Sequence, residues 1–270
     1  TYTNIGAANN RGIELNLEWR DKIGDFEYNV GGNMSTIRNR MTKLNGGTPI
    51  SSGLLRQQYA TYTNEVLPIG AFWGYATDGL IQTQEQLNSV KKASYLPNAE
   101  LGDVYFVYTN GDGKLDENDK QMIGNSIPDI IYGFNIGMAW KGFDLNLQFG
   151  GTIGNDIFNA SRIETEGMYD GKNQSTKVLD RWRVPGQITD VPKANFDMKN
   201  STYFIEDGSY LRVKDISLSY NLRNNFLKKL GITKLQPYFT ASNLITWTSY
   251  SGMDPEVNQW GNNGAVQGID

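Results

Sequence analysis

Phe143-Asp144-Leu145-Asn146-Leu147-Gln148-Phe149 sets apolar and polar side chains in strict alternation. Strand side chains alternate with period two, so Leu145, Leu147 and the two Phe share one face, while Asp144, Asn146 and Gln148 share the other. Gly12–Arg20 repeats the pattern, with Ile13, Leu15, Leu17 and Trp19 opposite Glu14, Asn16, Glu18 and Arg20. Strands of about 9–11 residues, with tight turns at one end and long loops at the other, read as an all-β chain: a segment of a transmembrane antiparallel β-barrel with long extracellular loops. Such a wall points to the passage of solutes rather than to catalysis.

A 270-residue chain is long enough for one large all-β domain. Its mean hydropathy of -0.50 rules out helical membrane spans. It leaves a barrel open, because only every second barrel residue meets lipid. The 30 glycines and the 12% aromatic content suit bulges, turns and interfacial girdles. A net charge of -4 provides no basic field for nucleic acid. With no cysteine and no histidine, thiolate chemistry, zinc thiolate sites and the commonest general base are all missing. The chain opens at Thr1-Tyr2-Thr3 without a signal sequence, the start expected of a mature exported product or a fragment.

The alternation predicts six strands in three pairs. Gly12–Arg20 and Phe26–Arg38 flank a turn at Asp21–Asp25, and Tyr132–Trp140 and Phe143–Gly151 flank Lys141-Gly142. Tyr210–Leu222 and Leu235–Trp247 flank a connection in which Phe226–Gly231 reads as one helical turn ended by Gly231. Between the pairs, connections 39–131 and 152–209 run far beyond the ~4–6 residues usual in compact domains. In the fifth strand the phase breaks between Val213 and Ile216, and a bulge near Lys214-Asp215 would restore the faces. Thr83, with Gln86 three residues on, reads as the N-cap of a short helix over Gln84–Lys92. A soluble β-sandwich also alternates, but the one-sided loops and the aromatic strand ends (Trp19, Tyr28, Trp140, Phe143, Tyr220, Tyr238, Trp247) favour the membrane.

One stretch carries chemistry of its own. Residues 108–119, within the loop region 39–131, resemble a calcium loop of the EF-hand or dockerin type. Asn110, Asp112 and Asp116 would give side-chain oxygens, Lys114 its carbonyl and Asp119 the closing carboxylate, with Gly113 permitting the turn. Tyr108 stands where the first ligand is normally Asp, and Asp119 is shorter than the usual Glu. The alternative is an Asx/Gly turn that needs no ion. Glu164/Glu166 and Asp254/Glu256 read as solvated surface carboxylates, and Gly150–Gly154, with no helix behind it, is not a phosphate loop.

Several segments, in order, resemble one family: the SusC/RagA-like TonB-linked outer-membrane proteins of Bacteroidetes. They are Asn10–Leu15, Pro68–Tyr75, Asp78–Thr83, Asn110–Asp119, Ile123–Asn125 with Pro128-Asp129, Lys141–Leu145, Glu206–Lys214, Ser242–Trp247 and Gly252–Glu256. The resemblance implies the C-terminal part of a large barrel in the cell outer membrane. Such barrels import glycans or peptides with energy from TonB, under a SusD-like surface lipoprotein. Plug, TonB contact and closing strand would then lie outside this chain, and open strand edges in lipid argue for a fragment. Tyr108 and Arg223, the latter following Leu222 where the family commonly has Pro, are departures from its pattern.

The resemblance therefore implies transport and no enzymatic activity. Phe72, Trp73 and Tyr75 are the candidates for lid contact or ligand stacking, although a folded loop could need the same residues for its own core. Two alternatives come from other classes. A soluble secreted calcium-dependent carbohydrate-binding β domain predicts a second sheet covering the apolar strand faces. A carboxylate-only glycosidase requires two acids ~5–9.5 Å apart in a cleft.

Overall fold

The structure, a computed structural model, describes residues 6–44, 46–169, 171–222, 231–259, 261 and 263–270. β1 (Gly6–Arg11) leads into β2 (Glu14–Ile23), which forms a hairpin with β3 (Phe26–Thr36), and β4 (Arg38–Leu44) folds back onto β1. The first long loop holds β5 (Ile50–Leu55), β6 (Gln58–Thr63), β7 (Ala71–Gly74), β8 (Thr77–Leu80), α1 (Gln84–Lys92), β9 (Val104–Phe106) and β10 (Gln121–Gly124). A second hairpin follows, β11 (Ile130–Trp140) and β12 (Phe143–Ile153). The second long loop carries β13 (Asp156–Phe158), α2 (Ser161–Glu166) and β14 (Ile205–Asp207). It enters β15 (Tyr210–Tyr220), which pairs with β16 (Tyr238–Thr248).

The six long strands form one antiparallel sheet in the order β16-β15-β12-β11-β3-β2. Its register makes the alternation two-dimensional. Trp19, Val30, Ile136, Leu147, Ile216 and Ala241 are cross-strand neighbours in one row. The adjacent row reads Arg20, Asn29, Gly137, Asn146, Ser217 and Thr240. Apolar rows fall on one face and polar rows on the other, because a residue and its cross-strand partner share a face. The apolar face stands open: Leu17 is 65% exposed and Trp19 64%, with Trp140, Phe143, Phe239 and Trp247 also exposed. It has no second sheet over it among the described residues, so the sandwich of the carbohydrate-binding alternative is not what these strands build. No described helix is long and apolar enough to cross a membrane.

The expected bulge is present: Gln148 pairs with Asp215 and Phe149 with Val213, so Lys214 is skipped and Leu211, Val213, Ile216, Leu218 and Tyr220 regain one face. The expected helix is present too, with Thr83 Oγ1 accepting from Gln86 N and Gln86 Oε1 accepting from Thr83 N. The first hairpin differs in its end. β2 continues to Ile23, opposite Phe26, leaving Gly24-Asp25 as the turn, with Gly24 at φ +62. Asp21 interrupts the apolar face, but Ile23 returns to it opposite Phe26, and Lys22 meets Glu27 across the strands at 2.5 Å, so pairing carries the ladder past Arg20. Phe226–Leu230 and Arg223 lie outside the described residues.

The long loops are not loose excursions. Together they build one folded cap at a single end of the sheet. Its core joins Ala60, Phe72, Tyr75, Leu80, Val104 and Phe106 of the first loop to Phe158, Ile163, Phe196 and Phe204 of the second. Val266 and Ile269, beyond β16, complete it. Backbone bonds stitch the same parts: Tyr75 N donates to Asn200 O at 2.9 Å, Thr202 N to Tyr75 O at 3.0 Å and Phe158 N to Gly268 O at 2.9 Å. A smaller core of Ile81, Leu87, Val90, Tyr95 and Ala99 seats α1.

Candidate functional site

The cap places the aromatic candidates in different settings. Phe72 is fully buried, edge-on to Phe158 at 6.0 Å, and Tyr75 is buried edge-on to Phe106 at 5.7 Å. Burial, then the carboxylates of Glu117 and its neighbours, pushes the Tyr75 phenol up to about 12. Trp73 points the other way along β7, as strand alternation requires, and stacks on Tyr62 at 4.4 Å, half-buried. Phe72 and Tyr75 thus serve the cap's own core, and Trp73 alone of the three keeps a partly open ring.

The acidic loop closes on its own side chains. Asn110 Oδ1 accepts from Asp112 N at 2.9 Å, Asp112 Oδ1 from Lys114 N at 2.9 Å and Asp116 Oδ1 from Asn118 N at 2.8 Å. Asp119, buried, accepts from Thr109 N at 3.1 Å, Thr109 Oγ1 at 3.2 Å and Asp116 N at 3.0 Å. Burial pushes the Asp119 carboxyl up, but these bonds outweigh it and hold it below the usual Asp range. Tyr108 stacks on Tyr95 at 4.5 Å, and its hydroxyl accepts from Gly113 N, so the phenol occupies the interior of the turn. No three carboxylates among the described residues converge as a metal site would require. The side-chain oxygens of Asn110, Asp112, Asp116 and Asp119 do not fit a shared ion in this arrangement.

The carboxylate pairs read as solvated are ion-paired instead. Glu166, buried, meets Arg162 at 3.0 Å, and Glu164 meets Arg56 at 2.7 Å. Asp254 meets the buried Arg212 at 2.6 Å, and Glu256 bonds Arg212, Lys214 (2.9 Å) and the Tyr210 hydroxyl (2.7 Å). The Asp-Pro-Glu segment after β16 therefore clamps the cap to the top of β15. Sequence distance hid these partners: Arg212 and Asp254 are 42 positions apart.

The loops converge around a hollow of about 550 Å³ of mixed lining, which includes Leu80 and Tyr203 beside Gln82, Arg162, Glu206 and Asp207. Arg162 is its hub. It bonds Tyr203 O at 2.7 Å, pairs with Glu206 at 3.3 Å and lies over the Tyr203 ring at 4.5 Å. Burial pushes Glu206 up, but Ser251 N (2.7 Å), Ser251 Oγ (2.8 Å), Arg162 and Asn159 together hold it below the usual Glu range. A carboxylate held so firmly in the charged form is an anchor, not a proton donor at neutral pH. The hollow offers hydroxyls, amides and charges of both signs, a surface for polar solutes.

No family model matches the chain. TonB-dependent receptor P3 of Formosa agariphila is 31% identical over 261 residues, covering 94% of this chain and 26% of that receptor. TonB-dependent receptor SusC of Bacteroides thetaiotaomicron is 24% identical over 262 residues, 94% of this chain and 24% of the receptor. The chain is homologous to a stretch of the SusC-like TonB-dependent receptors. Among solved structures, the RagAB peptide importer in its closed-closed state superposes with TM-score 0.74 at 26% identity, over all of this chain and 28% of that one. The six-stranded sheet is accordingly a segment of a transmembrane β-barrel, its apolar face toward lipid and its polar face toward the lumen. This receptor segment spans about a quarter of the length of the curated relatives it matches.

Proposed function

We propose that this chain forms the C-terminal wall and the mouth of an outer-membrane TonB-dependent importer of glycans or peptides. A SusD-like lipoprotein sits over the cap, and TonB acts on a part of the receptor outside this chain. The single observation that carries this reading is the two-faced sheet, open and apolar toward lipid, polar toward the lumen, and topped at one end by a cap built from every long loop. The hollow among the loops suits a solute rich in hydroxyls or amides, with Gln82, Arg162, Glu206 and Asp207 in its lining, and the partly open Trp73 ring is a separate candidate for ligand contact. The relatives support transport rather than catalysis. Further strands of the receptor would cover the open edges of β2 and β16, since lipid cannot satisfy them.

Fractionation of the native full-length receptor tests this reading. Extraction from the outer membrane only with detergent, together with one surface lipoprotein, is the expected result, and a deletion strain should lose uptake of one polar nutrient class. A receptor that leaves the cell envelope without detergent, alone, would overturn it.

A further inference from the structure

The rows of the sheet do not end at the tops of β2 and β3. β1 and β4 continue these two strands beyond short breaks at Gly12-Ile13 and Ile37, and they pair with each other as β2 pairs with β3. Period two carries the faces across the breaks. Ile13, Leu15 and Leu17 lie on the lipid side of the first strand, and Arg11 stands two positions above Ile13. Val30, Met34 and Thr36 lie on that side of the second, and Arg38 and Arg40 follow at the same spacing. Arg11 and Arg38 are register partners, and Arg40 faces Asn9 in the next row of that face. The other face of the ribbon turns to the cap. Met41 and Leu44 are buried, Met41 N donates to Leu67 O at 2.8 Å, and Asn39 Oδ1 accepts from Ile69 N at 2.8 Å.

This ribbon is basic in a chain of net charge -4. β1 and β4 contain no carboxylate, and none occurs between Glu27 and Glu65 along the sequence. Arg11, Arg38, Arg40 and Lys43 are exposed, and none of them pairs with a carboxylate among the described residues. At the opposite end of the same hairpin, by contrast, Arg20 pairs with Glu18 and Lys22 with Glu27. The carboxylates that pack nearest the ribbon are turned elsewhere. Glu65 Oε1 accepts from Leu44 N at 3.0 Å, Asp129 Oδ2 lies 2.7 Å from where a Gly154 Cβ would stand, and Glu14 is on the lumen face. Setting Glu65 and Glu14 each against one of the cations still leaves an excess of two positive charges.

Their height matters as much as their sign. Phe26–Thr36 has 11 residues, about 33 Å of strand, and at a tilt of about 40° it rises about 25 Å, the height of a barrel's apolar band. Two residues more add about 5 Å, which sets Arg11 and Arg38 in the headgroup layer and Arg40 at its outer edge. We propose that Arg11, Arg38, Arg40 and Lys43 bind the phosphate groups of an anionic outer-leaflet lipid whose acyl chains lie along the apolar rows below. Guanidinium groups suit phosphate, because their forked N–H donors match its oxygens. Continuity selects a lipid over a soluble anion or an acidic protein, since the cations stand in line with rows that already face hydrocarbon. The inference rests on the importer reading in one respect, that the capped end of the sheet faces out of the cell.

The test titrates full-length receptor in non-ionic detergent with fluorescent diphosphoryl lipid A and with its dephosphorylated form. Wild type should prefer the phosphorylated lipid, and added salt should shrink that preference. Arg38→Gln should weaken binding about fivefold, and Arg38→Gln with Arg40→Gln about twenty-five-fold, at about fivefold per cation near an anionic lipid surface. Arg38→Lys should keep most of the affinity, and Arg20→Gln, on the lumen face, all of it. Amide protection of β3 and α1 should stay at the wild-type level in every variant, since the replaced side chains are exposed. Equal wild-type affinity for the two lipid forms, or a double variant that binds the phosphorylated form like wild type, overturns the proposal and leaves the importer reading standing. Displacement of the lipid by an equal concentration of inorganic phosphate overturns it in favour of a soluble-anion site. A receptor that leaves the cell envelope without detergent overturns the importer reading, and this inference with it.

Discussion

Replacing Arg162 with Met should open the cap without unfolding the barrel. The Arg162 side chain is 12% exposed and that of Glu166 3%, so the substitution strands a buried carboxylate with the Tyr203 hydroxyl at 3.0 Å and Lys177, 3.8 Å away and half in solvent. Removing one partner of a buried pair costs about 3–5 kcal/mol. The lower end applies here, because Glu206 keeps its bonds to Ser251 and Asn159 and Lys177 can move closer. About 3 kcal/mol multiplies the open population by roughly two orders of magnitude, at about 1.4 kcal/mol per tenfold. Hydrogen exchange on the full-length receptor reads this directly: amides of 157–166 and 201–207 should exchange faster by that factor, while β11 and β12 stay protected. The double variant Arg162→Met with Glu166→Leu should recover most of the loss, since an apolar pair removes the stranded charge. A change under about fivefold in the single variant, or a double variant as open as the single, would refute the view that Arg162 matters by neutralising Glu166.

Leu147→Arg, on the lipid face near mid-strand, should cost about 2–4 kcal/mol in a barrel-folding titration, whereas Asn146→Arg, one residue away on the lumen face, should be nearly neutral. Gly74→Ala forces a methyl against the Asn200 backbone, with its carbonyl carbon at 2.7 Å, and should cost about 1–3 kcal/mol as faster exchange across 71–75 and 200–204. Asp156 has its pKa raised by burial first, then by Asp207 and Asp129, against the bond from Asn125 N. Its charged form is therefore disfavoured in the fold, and Asp156→Asn should raise the thermal midpoint at pH 7. That advantage should fade as pH falls through the raised value to the ordinary Asp range. Asp119 and Glu206 have lowered values, so their contribution is full above the ordinary carboxylate range and lost as pH falls from there through the lowered values, and exchange in 108–119 and 201–207 should accelerate across that window. Asp119→Asn turns a donor toward Asp116 N and should loosen 108–119 by about 1–3 kcal/mol, while EDTA should leave the protection of 108–119 at its starting value.

The strands were legible because each is governed by its own neighbours. A period of two in Leu145, Leu147 and Phe149 names a face, and the phase break between Val213 and Ile216 places the bulge before any partner strand is known. Thr83 and Gln86 fix a helix start for the same reason, since the capping box spans only three positions. The cap was opaque because its determinants are long-range. Nothing near Glu166 in sequence says that Tyr203 and Glu206 close around its Arg162 partner, and Asp254 and Glu256 find Arg212 only once β15 and β16 are paired. The aromatics Phe72 and Tyr75 could be read either as a platform or as a core, and a core needs companions such as Phe158, Phe204 and Ile269 that lie far along the chain. Leu179, Val184 and Ile188 show the converse limit: their exposure against their hydrophobicity is a property of the folded surface, invisible in a composition.

Because Phe72, Phe158 and Ile269 meet in one core, the loops cannot be exchanged singly between receptors. Grafting one foreign loop would pull out part of the shared interior and leave the others without a floor. New specificities can arise by trading the whole ensemble in a single recombination event, or by point changes on the side chains lining the hollow. The lineage of such a mouth should therefore read as blocks inherited intact, with rapid variation confined to a thin skin over a slowly changing middle.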